Sequence, residues 1–403
     1  MSKSHADLPL HYGQVPPWLY QRMGKLGGAI VEAIVIEYGK NAFLSRMSDP
    51  FWFQALGCVL GMDWHSSGIT TSVMGALKGS LNKKSKELGI YICGGKGRYS
   101  RETPAELLQI ADKTGLNGDM LVRSSKLAAK VDNTAIQDGF QLYLHSFILT
   151  DEGEWAVIQQ GMNDASGMAR RYHWHSPTVT SFIEEPHTFI YGPNQGLILN
   201  ITDKKADTTR NGVLQLTKEN PTDLLSEIRK LTMPSHHDVR KKDVDLKRLG
   251  SILAVAYEKE SLDMESLLLL EGLGPRTLQS LVLVSEVIHG TPSRFEDPAR
   301  FSFAHGGKDG HPFPVPTKVY DETIHTLENA INKAKLGQTD KNEVIKKLSI
   351  VAQKLEKDFQ PNDNFEQLVE RERTESWKYG GRTVFGKAQP PKQKRKDAQL
   401  RLF

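Results

Sequence analysis

Cysteine is almost absent: Cys58 and Cys93 are the only two in 403 residues, and neither has a partner at CxxC spacing. That excludes a disulfide framework and a thiolate zinc cluster, and it fits a reducing compartment. Long apolar runs are missing too. Runs such as Leu267-Leu268-Leu269-Leu270 fall far short of the roughly 20 residues that cross a bilayer. Met1-Ser2-Lys3-Ser4-His5 lacks the charged-then-apolar order of a secretion signal. A cytoplasmic, nucleoid-associated protein with no membrane partner is therefore expected. Nor is there much excess charge: 52 basic side chains face 48 acidic ones, a net of +4. A histone-like polycation is excluded, but a nucleic-acid binder with its charge gathered in one segment is not.

What is present supports an α+β chain. A hydrophobic fraction of 38% is enough for a proper core. Residues 1–137 read as mostly helical: Trp18, Leu19, Met23, Leu26, Ile30, Val31, Ile34 and Val35 recur at helical spacing before Gly39. Ser48-Asp49-Pro50 suits a helix start, and Thr103-Pro104-Ala105-Glu106 reads as a capping box with proline in the first helical position. Residues 138–220 change to a β period and form the catalytic part expected from the sequence. A strand over 140–150, a turn at Asp151-Glu152-Gly153 and a returning strand over 154–160 make a hairpin. Further short strands are expected at 178–183, 196–201 and 213–216. Residues 221–377 return to helix, with patterns over 318–335 and 342–359 and a Pro- and Gly-rich loop at 305–316. Residues 378–403 carry eight basic residues against Asp397 alone, and no apolar periodicity before Leu400. They read as a disordered basic arm. Its net charge is +7, which leaves the preceding body at −3.

Two segments point to DNA. Leu270-Glu271-Gly272-Leu273-Gly274-Pro275-Arg276-Thr277 lies between apolar stretches and resembles the hairpin of a helix-hairpin-helix element. In that family the glycines turn the chain tightly and bring N–H groups at the start of the second helix against a phosphate. Gly272, Gly274, Arg276 and Thr277 are thus DNA-contact candidates, with Arg276 adding a direct charge. His305 and Lys308, in the glycine-rich loop, are further candidates. The second segment is the terminal Gln399-Leu400-Arg401-Leu402-Phe403, which resembles the clamp-binding motif of bacterial replication and repair proteins. Gln399 would bond at a pocket rim, while Leu400, Leu402 and Phe403 offer apolar groups on a flexible tether. DNA and a sliding clamp are the expected partners.

A wider resemblance rests on Ala6-Asp7-Leu8-Pro9-Leu10-His11-Tyr12-Gly13, Asp63-Trp64-His65-Ser66-Ser67-Gly68, Gln159-Gln160-Gly161-Met162, Ala169-Arg170-Arg171-Tyr172-His173-Trp174 and Phe303-Ala304-His305-Gly306-Gly307-Lys308-Asp309-Gly310. These resemble a prokaryotic family, bacterial and archaeal, catalogued as a domain of unknown function. The resemblance covers about residues 5–375 and brings no catalytic residues with it.

Candidate chemistry gathers around the hairpin. Asp132, Asp138 and His145 are residue types that hold a divalent metal, Mg or Mn. Lys126, Lys130, Arg170 and Arg171 could contact phosphate, and Gln159, Gln160 and His173 complete the polar set. The carboxylate and D/E-x-K pattern of many nucleases is not met, since Glu154-Trp155-Ala156 and Gln159-Gln160-Gly161 both lack the lysine. Cys93-Gly94-Gly95-Lys96-Gly97 lacks the spacing of a nucleotide-binding loop, so no nucleotide or organic cofactor is expected. His236-His237-Asp238 is a weaker metal candidate. The leading expectation is a metal-dependent, structure-selective DNA nuclease recruited by the clamp. The alternatives are a glycosylase or abasic-site lyase using Lys126 or Lys130 as Schiff-base amine, and a non-catalytic DNA-binding accessory.

Overall fold

The computed structural model describes residues 15–62, 67–228, 246–259, 262–299, 315–316, 375–379, 381–383, 386–387 and 389–390. These fall into two compact units, one within Ile34–Gly306, the other within Gln14–Ala33 and Gly307–Phe403. The architecture is mixed helix and antiparallel sheet.

The chain opens with α1 (Pro17–Tyr38), α2 (Lys40–Met47), α3 (Pro50–Val59), α4 (Gly68–Leu81) and the single turn α5 (Ser85–Leu88). The local signals act as expected. Gly39 follows α1 at φ 85°, and Asp49 caps α3 by accepting from the amides of Phe51 and Trp52, with Pro50 behind it. Next come β1 (Ile90–Lys96), α6 (Arg98–Thr114) and α7 (Gly118–Lys130), which widens into one π turn over Val131–Ala135. Then follow β2 (Gln141–Thr150), β3 (Trp155–Asn163), β4 (Met168–His175) and β5 (Phe189–Tyr191).

The five strands form one sheet in the order β1-β2-β3-β4-β5, each pair antiparallel. The hairpin read from sequence is thus the centre of a wider sheet, which takes an edge strand from the mostly helical first part. The central strands are buried along nearly their whole length, so both faces are covered. One face packs Phe147, Leu149, Trp155, Val157 and Trp174 into the main core with residues of the later helices. Those helices are α8 (Asp207–Leu216), α9 (Pro221–Ile228), α10 (Leu246–Tyr257), α11 (Met264–Leu268) and α12 (Pro275–His289).

Four local expectations are corrected. The apolar run 213–216 is the end of α8, where Thr209, Gly212, Val213 and Leu216 are buried at helical spacing. The run 178–183 forms no strand: a 3-10 turn over Ser176–Thr178 leads into bends. Residues 196–201 make only isolated bridges, Leu199 with Phe295 and Asn200 with Ile136. Thr103 is not a helix start, because α6 begins one turn earlier after Gly97 and carries Pro104 inside it. Proline has no N–H for the Ser100 carbonyl, and the Thr103 hydroxyl donates to that oxygen instead, at 2.9 Å. Glu106 does not close a box. Its carboxylate takes Lys78 Nζ and the Gly94 amide, each at 2.6 Å.

In the other unit, β6 (Val315–Pro316), β7 (Gly381–Thr383) and β8 (Gly386–Lys387) form a small antiparallel sheet, with a 3-10 turn over Ser376–Tyr379. The first residues of the basic arm therefore carry structure where disorder was expected. The helical patterns over 318–335 and 342–359, His305, Lys308, Asp63 to Ser66, His236 to Asp238 and the terminal pentapeptide lie outside the described residues. No helix among the described residues is long and apolar enough to cross a membrane.

Candidate functional site: a hydrogen-bonded chain through the sheet

Successive side chains on a strand point to opposite faces. The doublets Gln159-Gln160 and Arg170-Arg171 are therefore split by the sheet. Register places His145, Gln159 and Tyr172 abreast on one face, with Arg170 beyond them. Gln160, Arg171 and His173 belong to the other face.

On the first face a continuous chain begins at α7. Ser125 Oγ lies 2.8 Å from His145 Nε2, and His145 Nδ1 lies 2.8 Å from Gln159 Oε1. Gln159 Nε2 donates to Asp132 Oδ2 at 2.5 Å, as does Trp174 Nε1 at 3.1 Å. The other oxygen, Asp132 Oδ1, pairs with His187 Nε2. The π turn at the end of α7 holds Asp132 here, fully buried. Single π turns inside helices recur at functional sites.

The partners fix the proton positions. Asp132 Oδ2 already accepts from Trp174, so it accepts from the amide nitrogen of Gln159. The Gln159 oxygen then faces His145, whose Nδ1 must carry the hydrogen. His145 Nε2 is left with a lone pair and accepts the Ser125 hydroxyl. This is the orientation of a nucleophile–base–amide triad, in which an amide orients the imidazole. Burial lowers His145 to about 4, so it is neutral at pH 7. Burial also raises the Asp132 carboxyl, against the pull of His187, Trp174 and Gln159.

Each end of the chain meets a depression. Ser125 and His145 line a pocket of about 180 Å³ with Ser100, Arg101, Lys126 and Tyr143 among its other walls. His187 lines a cleft of about 380 Å³ that also holds Glu185, Asp203 and Glu296. Glu185 is the one described non-glycine residue at positive φ, 43°, a sparsely populated conformation of the kind that collects at functional sites.

A separate network surrounds Arg170. Its guanidinium donates to Asp138 Oδ2 at 2.8 Å, to Asp297 Oδ1 and Oδ2 at 3.1 and 2.6 Å, and to Pro193 O at 2.5 Å. Asp138 also accepts from Tyr172 Oη at 2.6 Å and from the Phe140 amide at 3.0 Å. Burial raises Asp138, opposed by Arg170, Tyr172 and Phe140. On the opposite face Gln160 donates to Ser67 O and Tyr143 Oη and accepts from Thr70 Oγ1. Arg171 reaches Gln54 Oε1 at 2.7 Å and Thr70 Oγ1 at 3.3 Å, between the rings of Phe53 and Tyr191. Burial lowers it to about 10, against the pull of Tyr191 and Tyr143. His173 Nδ1 donates to Met47 O at 3.1 Å, and burial with Arg171 nearby holds the ring well below the usual histidine range.

The three expected metal ligands do not form one cation site. Asp132 and His145 share a chain through Gln159, whereas Asp138 belongs to the Arg170 network. Both oxygens of each carboxylate and both His145 nitrogens already have hydrogen-bond partners. Among the described residues no group of three His, Cys, Asp or Glu side chains is placed to hold a metal ion.

Lys126 is exposed at the pocket, but Lys130 serves the turn between α11 and α12. Gly272 sits there at φ 85°, which only glycine adopts cheaply. Lys130 Nζ donates to Leu273 O at 2.7 Å, Arg248 Nε to Gly272 O at 3.1 Å and Gln137 Nε2 to Pro275 O at 2.8 Å. Burial and Arg248 push the Lys130 ammonium down. Gly274 is the helix cap residue without a side-chain bond, Arg276 is exposed and Thr277 is buried. Ser125 and His187 gave no signal in the sequence. A serine inside an amphipathic helix and a histidine after proline are ordinary, and only the tertiary structure brings them to His145 and Asp132.

No curated protein and no solved structure matches the chain. A family profile does, over residues 4–315, and by that match the chain belongs to the family described as Protein of unknown function (DUF763).

Proposed function

We propose that this protein is a DNA-processing enzyme that grips the nucleic-acid backbone at the α11–α12 turn, cleaves phosphodiesters and is recruited by a sliding clamp. The turn carries the DNA reading. Its carbonyls at Gly272, Leu273 and Pro275 are occupied by Arg248, Lys130 and Gln137. The first-turn amides of α12 at Arg276 and Thr277 have no intrahelical acceptor, and Gly274 leaves the approach open. A phosphate oxygen suits that position: N–H groups, the positive helix end and the charges of Lys130, Arg248 and Arg276 all favour it. Contact of this kind is blind to sequence.

Duplex and flap DNA binding measured by anisotropy tests this. Affinity is expected to fall steeply from roughly 50 to roughly 200 mM salt. Arg276→Ala is expected to weaken binding to all sequences alike and to lower the salt slope by about one. An unchanged slope in that variant removes the turn from the interface. For the terminal peptide, deleting 399–403 is expected to reduce clamp binding to background while leaving DNA affinity nearly intact. Equal clamp binding by the truncated chain refutes the docking role.

A further inference from the structure

We propose that Ser125 is a nucleophile activated by His145, and that the pocket they line takes a phosphoryl group whose oxygens are held by Arg101 and Lys126. For its substrate class this inference rests on the phosphodiester reading; the activated serine stands on geometry alone. Ser125 Oγ is 2.8 Å from the His145 nitrogen that the network leaves unprotonated. Both residues are nearly buried, Ser125 at 3% exposure and His145 at 5%, and both contribute to the wall of the same pocket. The charged residues lining that pocket are Arg101 and Lys126, both basic and both exposed. Arg101 stands near the N-terminal end of α6, where the helix dipole adds positive potential. A small pocket with two cations and, among the described residues, no carboxylate suits a compact anion. The acidic-lined cleft at His187 does not.

The step balances without a metal or redox partner. Ser125 Oγ attacks phosphorus as its proton passes to His145 Nε2. The Oγ–P bond forms and the bond from phosphorus to the leaving oxygen breaks. His145 returns the proton to that oxygen. Water then attacks phosphorus and gives a proton to His145; the Oγ–P bond breaks, and His145 returns that proton to Ser125 Oγ. Arg101 and Lys126 face the charge that develops on the non-bridging oxygens. Gln159 is a positioning residue: it holds Nδ1–H, and Asp132 in turn holds Gln159. Burial, offset only by the Gln159 amide rather than by a direct carboxylate, keeps the base weak, which matches a substrate with a good leaving group.

Diisopropyl fluorophosphate tests the nucleophile independently of DNA. Here Oγ–P forms, P–F breaks, fluoride leaves and His145 takes the proton. Intact mass and peptide mapping of the full chain are expected to place one phosphoryl adduct on Ser125. Ser125→Ala abolishes it, and His145→Gln slows it by about 100-fold or more. In Gln159→Leu the acid limb of the labelling rate moves to lower pH, because the His145 imidazolium loses an acceptor. No adduct on the folded wild-type chain, an adduct on another residue, or an equal rate in His145→Gln overturns the proposal. Labelling at Ser125 without cleavage of any DNA substrate leaves the nucleophile standing and removes the phosphodiester reading instead.

Discussion

Arg170→Ala is expected to destabilise the fold by about 3–5 kcal/mol, the range for breaking a buried ion pair by removing one partner. Arg170 is fully buried, and so are the carboxylates of Asp138 and Asp297 that it bridges. Removing the cation leaves two buried acids, so the upper end of the range applies. Some support survives. Asp138 keeps Tyr172 Oη and the Phe140 amide, and Asp297 keeps the amides of Gln195 and Ala299. The lost guanidinium also packs over Phe140, with 4.8 Å to the ring centroid. Arg170→Lys is expected to recover only part of the loss, since an ammonium cannot replace the two-oxygen grip on Asp297. Urea unfolding of the three chains measures this. A midpoint for Arg170→Ala close to that of the wild type would show that the ion-pair network does not hold the fold.

The second large effect is acid sensitivity. His145 is neutral in the folded chain and titrates at about 4, against an ordinary value of about 6.5. The unfolded chain therefore binds the proton first as pH falls. The stability that His145 contributes is full above about pH 6.5 and is lost as pH drops toward 4. At about 1.4 kcal/mol per pH unit the loss is about 3 kcal/mol. Asp132 and Asp138, whose carboxyls burial raises, act in the opposite sense: the folded chain holds their protons more tightly. The comparison that isolates His145 is wild type against His145→Gln, both unfolded in urea from pH 7 to pH 4. The advantage of the wild type is expected to shrink by about 3 kcal/mol over that range. A difference that stays constant with pH means that His145 ionises freely in the folded state.

Much of the local structure was legible because its causes are local. Asp49-Pro50 starts a helix by satisfying first-turn amides, and Asp151-Glu152-Gly153 turns a hairpin whose strands carry β-favouring residues. The failures were local ambiguities settled elsewhere in the chain. Thr103-Pro104 has the chemistry of a helix start, yet Gly97 starts the helix a turn earlier and the Thr103 hydroxyl serves the carbonyl that proline cannot. A four-residue apolar run at 213–216 fits a strand or a helix equally, and packing of α8 chose the helix.

The site was legible in kind but not in arrangement. Residue types marked the region around Asp132, His145, Gln159 and Arg170 as polar beyond what a hairpin needs. They did not show that Gln159 and Gln160, neighbours in sequence, serve opposite faces of the sheet. Nor could they show that Arg170 finds Asp297, 127 positions away, or that Asp132 finds His187, 55 positions away.

The sequence by itself determined the α+β character, the central hairpin, the glycine turn between α11 and α12, and a basic arm set against a mildly acidic body. Each follows from composition or from the conformational limits of a few adjacent residues. Only the tertiary structure decided which polar side chains meet. A strand alternates its side chains with period two, and burial on both faces makes a polar group without a partner costly there. Adjacent residues were thus sent into different networks. Ser125, His145, Gln159, Asp132 and His187, scattered over 63 positions, were drawn into one.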